Sequence, residues 1–541
     1  MLARPSADGS STRPGSRSAS ITELTPMSRN GSGGPGRAPT SAWRELIPAH
    51  DTDADGGDAS AGDPAGEKLG HSPFWVIAAN NVVYMAAPLS LPATMARCGW
   101  FFGTLILVYS ILCTYHSGLL IGDIILERPH LDSYPKILGE ALVTLFDDFL
   151  RLPLDRALLR RVGSEMAIVL QFMAYFFDTM AQVLFCAEYF DELTPEPDDG
   201  SKSLTQKQWL LVTGLLAIPL MQAPNFSESR VAVVAAAVCL FLNVATFLAE
   251  VLIYRPWNCV PGPEYQTPDA GSVMIGFTAF AYAFGGHGMY PEEMREMQDR
   301  TQWPRVIRWT YVLCVGMYVL CAYLGYYAYG SAARANLNLN FPLDGINTFS
   351  IIVQLVVTYY CIYVTSLVML LHVEEHAFGI DPRTNCGESS FATTLVRFVF
   401  RTAFLGLQVL LCWFLIDIPG DVLLTVQSLS GAIGMTALTY ILPFVVHWIL
   451  QPHRVRSWGM RAWYVINIVL GVQIMIGGTV SGITELVDGL FPDPNGPQCT
   501  EFEQAPRSPC DPCYRGGLPE QFYDLAMEFR NGTCGCLLDA E

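Results

Sequence analysis

Eleven apolar runs, each near the ~20 residues that a helix needs to cross hydrocarbon, follow one another from residue 74 to about 485. Lipid offers backbone N–H and C=O groups no partner, so spanning segments must pair them within helices or around a closed barrel. Runs of this length select helices. Hydropathy windows place the spans at 74–96, 101–122, 164–186, 208–223, 231–253, 272–290, 308–329, 347–371, 394–417, 422–446 and 462–485, the fourth being the shortest. The expected fold class is an all-α polytopic membrane protein with eleven transmembrane helices. Charged residues at 15% of the chain agree with this, since soluble domains carry about 25%.

The flanks read differently. Residues 1–71 are rich in Ser, Gly, Pro, Ala and Asp and poor in large apolar side chains. They cannot bury enough surface to offset the entropy of ordering, which predicts a disordered N-terminal tail with no secretory signal. The membrane-spanning body is expected at 72–485 and a Cys-rich tail at 486–541. With the N-terminus inside, seventeen Lys and Arg fall in inner loops against five in outer ones. Basic residues are retained on the cytoplasmic side, so this orientation is expected, with the C-terminal tail outside or in a lumen. The formal charge of −18 belongs to tails and loops and argues against nucleic acid as a partner. The partners expected are a lipid bilayer and a small-molecule substrate.

Cysteine placement fits that orientation. Cys259 follows the fifth span, and Cys499, Cys510, Cys513, Cys534 and Cys536 lie in the C-terminal tail. An even number on the oxidising side suggests disulfides of unspecified pairing, with a small metal site at Cys510-x-x-Cys513 and Cys534-x-Cys536 as the rival. The sequon Asn531-Gly-Thr533 is on the same side, whereas Asn225-Phe-Ser227 falls inside.

Two of the apolar runs are interrupted. The first carries Asn80-Asn81, Tyr84, Ala87 and Pro88 before Leu91-Pro92, and the sixth carries Gly285-Gly286-His287 and Pro291. Unwound backbone at membrane depth survives only where it lines a cavity or is buried in protein. Interruptions five spans apart are what two inverted five-helix repeats produce, with broken first and sixth helices meeting near the midplane. Candidate substrate contacts are therefore Asn80, Asn81, Tyr84, Ala87, Gly285, Gly286 and His287. Freed amides suit a carboxylate and freed carbonyls an ammonium group, so the site fits a small zwitterion.

Polar side chains within other spans extend the list. Gln171, Tyr175, Asp178 and Gln182 share one helix face in the third span. In the eighth, Gln354, Thr358, Cys361 and Thr365 form a stripe. Thr358 and Thr365 are candidate substrate contacts, and helix-to-helix bonding is the plainer use of such hydroxyls. Small residues at Ser428, Ser430, Gly431 and Gly434 suit close packing of the tenth span.

At several of these positions the chain resembles the amino acid/auxin permease family. Leu89-Ser90-Leu91-Pro92 followed by Gly99-Trp100 is similar to its first-span pattern. Phe280-Ala281-Tyr282-Ala283-Phe284-Gly285-Gly286-His287, with Glu292 five residues on, is similar to its sixth-span signature. Gly325-Tyr326-Tyr327-Ala328-Tyr329-Gly330 resembles the end of its seventh. The family's Gly-x-Gly before Leu-Pro is replaced here by Met85-Ala86-Ala87, with Pro88 following.

The resemblance implies eleven helices, the first ten as inverted repeats, and proton-driven transport of amino acids. No cofactor is expected; H+ is the driving ion, with Na+ as the alternative. Proton-coupling candidates are His287, whose imidazole titrates near ~6.5 when unperturbed, and the carboxyls of Asp178 and Glu292, the latter also able to pair with Arg295 or Arg305. An indole-carboxylate carrier and a non-transporting nutrient receptor are the alternatives. An enzyme is not expected, since the chain shows no nucleophilic triad, phosphate loop or His-Glu-x-x-His motif in suitable context. The membrane is expected to be the plasma membrane or a vacuolar or other endomembrane.

Overall fold

The computed structural model describes residues 72–85, 88–152, 154–194, 204–223, 230–258, 263–380, 390–418 and 422–491. The tail expected at 1–71, most of that expected at 486–541, Ala87 and all six disulfide candidates (Cys259, Cys499, Cys510, Cys513, Cys534 and Cys536) lie outside the described residues. The described part is helical, with one isolated parallel β-bridge between Ser72 and Met297.

The first expected span is two pieces. Helix α1 (Phe74–Tyr84) stops before Pro88, and the chain resumes in α2 (Leu91–Glu127), with Pro92 in the first turn where its missing N–H costs nothing. Within α2, Gly99 takes φ +68°, open to glycine but disfavoured for L side chains, so the end of the first crossing and the whole of the second form one bent rod. The sixth span is likewise divided into α7 (Ala270–Ala283) and α8 (Tyr290–Glu296), with residues 284–289 in turns.

The other elements are α3 (Tyr134–Thr144), α4 (Arg156–Leu193), α5 (Gln206–Met221), α6 (Arg230–Tyr254), α9 (Trp303–Tyr329), α10 (Gly345–Phe378), α11 (Phe391–Leu415), α12 (Val422–Ser430), α13 (Leu442–Leu450) and α14 (Trp458–Leu490). Eight stretches among the described residues are helical, long and apolar enough to cross a membrane; α1 and α7 are shorter apolar helices. Short α3, absent from the expected spans, packs on α4 and brings Gly139 against the Arg160 backbone.

Local chemistry sets the helix starts. Asp155, Thr205, Asp269, Asp344 and Ser390 each accept a backbone N–H in the first turn of the helix they precede, satisfying donors that have no intrahelical partner. Thr205 and Gln208 form a reciprocal capping box. At Asp269 the amide and hydroxyl of Ser272 hold the carboxyl below the usual carboxylate range. Gly379, at φ +64°, ends α10.

Helix α2 packs against α7 and α9, α4 against α10 and α12, and α6 against α10. The outer faces of α2 and α14 carry exposed apolar side chains, Phe101 at 74% and Val480 at 60% among them, the surface lipid would cover. Between α12 and α13 the helix loosens into π turns at Gly431–Met435 and Ala437–Ile441. Pro443 has no N–H for the preceding turn, which favours such widening. Gly431 and Gly434 give the close packing expected of them, since a Cβ would lie 2.0 Å from the Thr278 carbonyl oxygen at one and 2.2 Å from the Ala174 amide at the other.

The start of α1 is held at two points. Ser72 N–H donates to Glu296 O (2.9 Å) and Gln298 N–H to Ser72 O (3.0 Å), fastening it to the end of α8. The Arg305 guanidinium lies 4.4 Å over the Phe74 ring. Elsewhere, Arg397 and Arg401, counted among inner-loop charges from sequence, are buried in α11. Arg401 Nε donates to Glu374 Oε1 (2.6 Å), Nη2 to Oε2 (3.0 Å), and Nη1 to the carbonyls of Met221 and Ala223, joining α10, α11 and the end of α5.

Candidate functional site

The two interruptions meet. Met85 N–H bonds Asn81 O as α1 ends, and across from it the break after α7 is a chain of tight turns: Gly285 N–H to Tyr282 O, Met289 N–H to Gly286 O and Tyr290 N–H to His287 O. The amides of Gly286, His287 and Gly288 find no backbone partner among the described residues. Glycine is required here by contact. A Cβ on Gly286 would lie 2.4 Å from the Tyr84 ring, one on Gly285 2.7 Å from Met435 Sδ, and one on Gly288 2.5 Å from the Tyr175 hydroxyl.

A buried polar network crosses this junction. Asn80 Nδ2 donates to Glu293 Oε1 at 2.6 Å, while Asn80 Oδ1 accepts from the Tyr360 hydroxyl at 2.5 Å. Tyr360 thereby fixes which way the amide faces. The Tyr84 hydroxyl donates to Asn81 Oδ1 and stands 3.5 Å from Glu293 Oε2. Asn80, Asn81 and Glu293 are all buried, and Asn81 Nδ2 has no partner among the described residues.

A second cluster lies between α4 and α7. Asp178 Oδ1 accepts from the Tyr282 hydroxyl (2.7 Å) and from Gln182 Nε2 (3.3 Å), and Gln182 Nε2 also reaches the Tyr282 hydroxyl (3.0 Å). Gln171 Nε2 donates to Gly288 O at 2.8 Å, steadying the unwound segment from the same helix face. The expected stripe on α4 is thus real, and each of Gln171, Tyr175, Asp178 and Gln182 touches the broken sixth span or its flank.

Thr358 and Thr365 do not reach the junction through their hydroxyls. Thr358 bonds Gln354 O in its own helix (2.9 Å), and Thr365 bonds Cys361 O (2.8 Å) and Thr179 Oγ1 (3.0 Å). The plainer reading of these hydroxyls, bonding within and between helices, is the one the geometry supports. Cys361 Sγ is 3.6 Å from Val83 O and ties α10 to the end of α1.

His287 bonds to α2, and no hydrogen bond links it to Asn80 or Glu293 among the described residues. Its Nε2 is 2.8 Å from Thr114 O, and a carbonyl can only accept, so Nε2 carries the proton. Its ring lies 4.5 Å from that of Tyr290, and Nδ1 has no partner among the described residues. Glu292 meets His372 Nε2 at 3.1 Å, rather than Arg295 or Arg305, because α8 turns it inward to α10 while Arg305 covers Phe74. The eight described cysteines are all free thiols.

Sequence reasoning passed over Glu293, Tyr282 and Tyr360. Tyr282 stood within the sixth-span signature, and Glu293 beside Glu292. On a helix, adjacent residues face about 100° apart, so one carboxyl meets α10 and the other α1.

A profile described as transmembrane amino acid transporter protein matches residues 75–484. Amino acid transporter AVT1C of Arabidopsis thaliana is 22% identical over 430 residues, which is 76% of this chain and 69% of that protein. Lysine histidine transporter-like 6 of the same plant is 23% identical over 468 residues, 82% of this chain and 96% of its own. Among solved structures, a manganese transporter of Eremococcus coleocola aligns with a TM-score of 0.47 at 13% identity, covering 88% of this chain and 100% of that one. The profile takes in both interrupted spans and the helices packed on them, and the chain belongs to the transmembrane amino acid transporter family: an integral, multi-pass membrane transporter and not an enzyme.

Proposed function

We propose that the protein is a proton-coupled amino acid symporter working by alternating access, with eleven spans of which the first ten form two inverted five-helix repeats. One observation carries this reading: the interrupted α1/α2 and α7/α8 segments are joined directly by the bond from Asn80 to Glu293, beside unwound backbone whose amides at Gly286, His287 and Gly288 lack backbone partners among the described residues. Such amides suit a substrate carboxylate, and the carbonyl and amide oxygens freed at the two breaks suit an ammonium group. With the N-terminus inside, α1 and α8 are the cytoplasmic halves of their spans, and the Ser72 bridge holds that side shut. Transport then requires α1 and α8 to part after the substrate is loaded from the other side.

The test is uptake by protein reconstituted into liposomes. An acid-outside pH gradient is expected to drive accumulation of a radiolabelled mixture of the proteinogenic amino acids. A protonophore should abolish it, and replacing sodium with choline at fixed pH should leave it unaltered. A flat response to the pH gradient, or strict dependence on sodium, sinks the proton-coupled reading.

A further inference from the structure

The imidazole singled out in the sixth span is held by Thr114 O against α2, whereas the Glu293 carboxyl, 1% exposed, stands where α1 and α8 are joined. The carboxyl of Glu292 acts on it from its own helix, and the other groups facing it are neutral donors and phenols: Asn80, Asn81 and Tyr84 from α1, Tyr175 from α4, and Tyr290 from its own helix. Tyr360 of α10 is linked to it through Asn80. Glu292 lies 3.1 Å from His372 Nε2 of α10, without hydrogen-bond geometry. No Lys, Arg or His pairs with Glu293 among the described residues. An ionised carboxylate buried without a cation is costly, and one proton removes the charge.

We infer that Glu293 is the group that carries the coupled proton, an inference that rests on the symport reading above. Its carboxylate takes up one H+ from the outer side, forming an O–H bond, and that bond breaks to the cytoplasm once α1 and α8 have parted; no electrons change hands. The step acts on the gate as well. A bond to a carboxylate is about twice as strong as one to a neutral acid, so protonation weakens the hold of Asn80 on α8. Binding the proton thereby favours release of the inner gate.

The experiment compares wild type with Glu293→Gln in liposomes on two readouts, using the same labelled amino acid mixture. One is accumulation under an acid-outside gradient of about one pH unit, which supports about tenfold accumulation at one-to-one coupling. The other is counterflow at equal pH on both sides. Wild type should show both; Glu293→Gln should show counterflow, at a reduced rate, with accumulation falling to about onefold. Gradient-driven accumulation by Glu293→Gln equal to wild type overturns the assignment to Glu293 and leaves symport intact. Failure of wild type to respond to the gradient overturns both. Should Glu293→Gln be silent on both readouts, Glu293→Asp decides: a pH midpoint of uptake shifted from that of wild type supports the assignment, and an unshifted one overturns it.

Discussion

Asn80 and Glu293, 213 residues apart in sequence, share a 2.6 Å hydrogen bond that joins the two broken helices. Asn80→Ala removes the donor and leaves a buried carboxyl short of a partner. The expected cost is about 1–3 kcal/mol, read as a lower melting temperature of the purified protein. Tyr360→Phe loses the bond that orients the Asn80 amide, for about 0.5–1.5 kcal/mol. Equal melting of Asn80→Ala and wild type would remove the link from the account of the gate.

The glycines at close approaches give a graded test. Gly431→Ala directs a methyl at 2.0 Å from a backbone carbonyl oxygen that cannot swing aside, and should cost about 1–3 kcal/mol or more. Gly286→Ala meets the ring of Tyr84 instead, which can turn. It should therefore melt closer to wild type yet lose transport, since Tyr84 borders Glu293. The reverse ranking of the two melting temperatures would contradict the packing described.

Arg401 offers a third. It is fully buried, and it serves both Glu374 and the carbonyls that end α5. Arg401→Met leaves the Glu374 carboxylate to Arg397 alone, whose Nε is 3.1 Å from Oε2, and takes the donor from the α5 carbonyls, for about 1–3 kcal/mol. Arg401→Lys should rescue little, because a compact ammonium cannot reproduce the planar fork that spans both partners. Thermal melting of the two variants side by side is the check, and full rescue by lysine would contradict it.

The cap at Asp269 sets a pH signature distinct from coupling. Its folded carboxyl is held below the unfolded value of about 3.9, first by the Ser272 amide and then by its hydroxyl. A depressed carboxyl contributes stability that is fully present above the unfolded value and lost as pH falls through the folded one. Asp269→Ala should melt lower by a constant gap above about pH 5, worth about 0.5–2 kcal/mol, and the gap should start to narrow below about pH 4 and go on shrinking as pH falls through the folded value. Pairs of melting curves across that range decide it. Any pH dependence of uptake between about pH 5 and 7 must then arise elsewhere.

Much of the helical layout was legible in apolar run length alone, because spanning chain has so few ways to pair its backbone. Both interruptions were marked by Pro88 and by Gly285-Gly286, residues whose backbone chemistry acts locally. What stayed hidden depends on rotation and distance. His287 and Glu293 are six positions apart across a turn, and sequence does not say which faces α2 and which α1. The π turns after Ser430 follow from the fit of Gly431 and Gly434 against α7 and α4, a relation between elements that no local pattern encodes. Thr358 and Thr365 showed the converse, since a stripe with binding chemistry proved to bond within and between helices.

The two backbone hydrogen bonds at Ser72 use only main-chain atoms. Their strength is therefore blind to side-chain identity, and a scan that replaces residues one at a time with alanine would pass over this fastening without a signal. Only proline, at 72 or 298, deletes a donor there. Under the symport reading this fastening would hold the inner side shut, yet none of its hydrogen bonding comes from side chains, so a silent alanine scan at residues 72 and 296–298 is no measure of their importance.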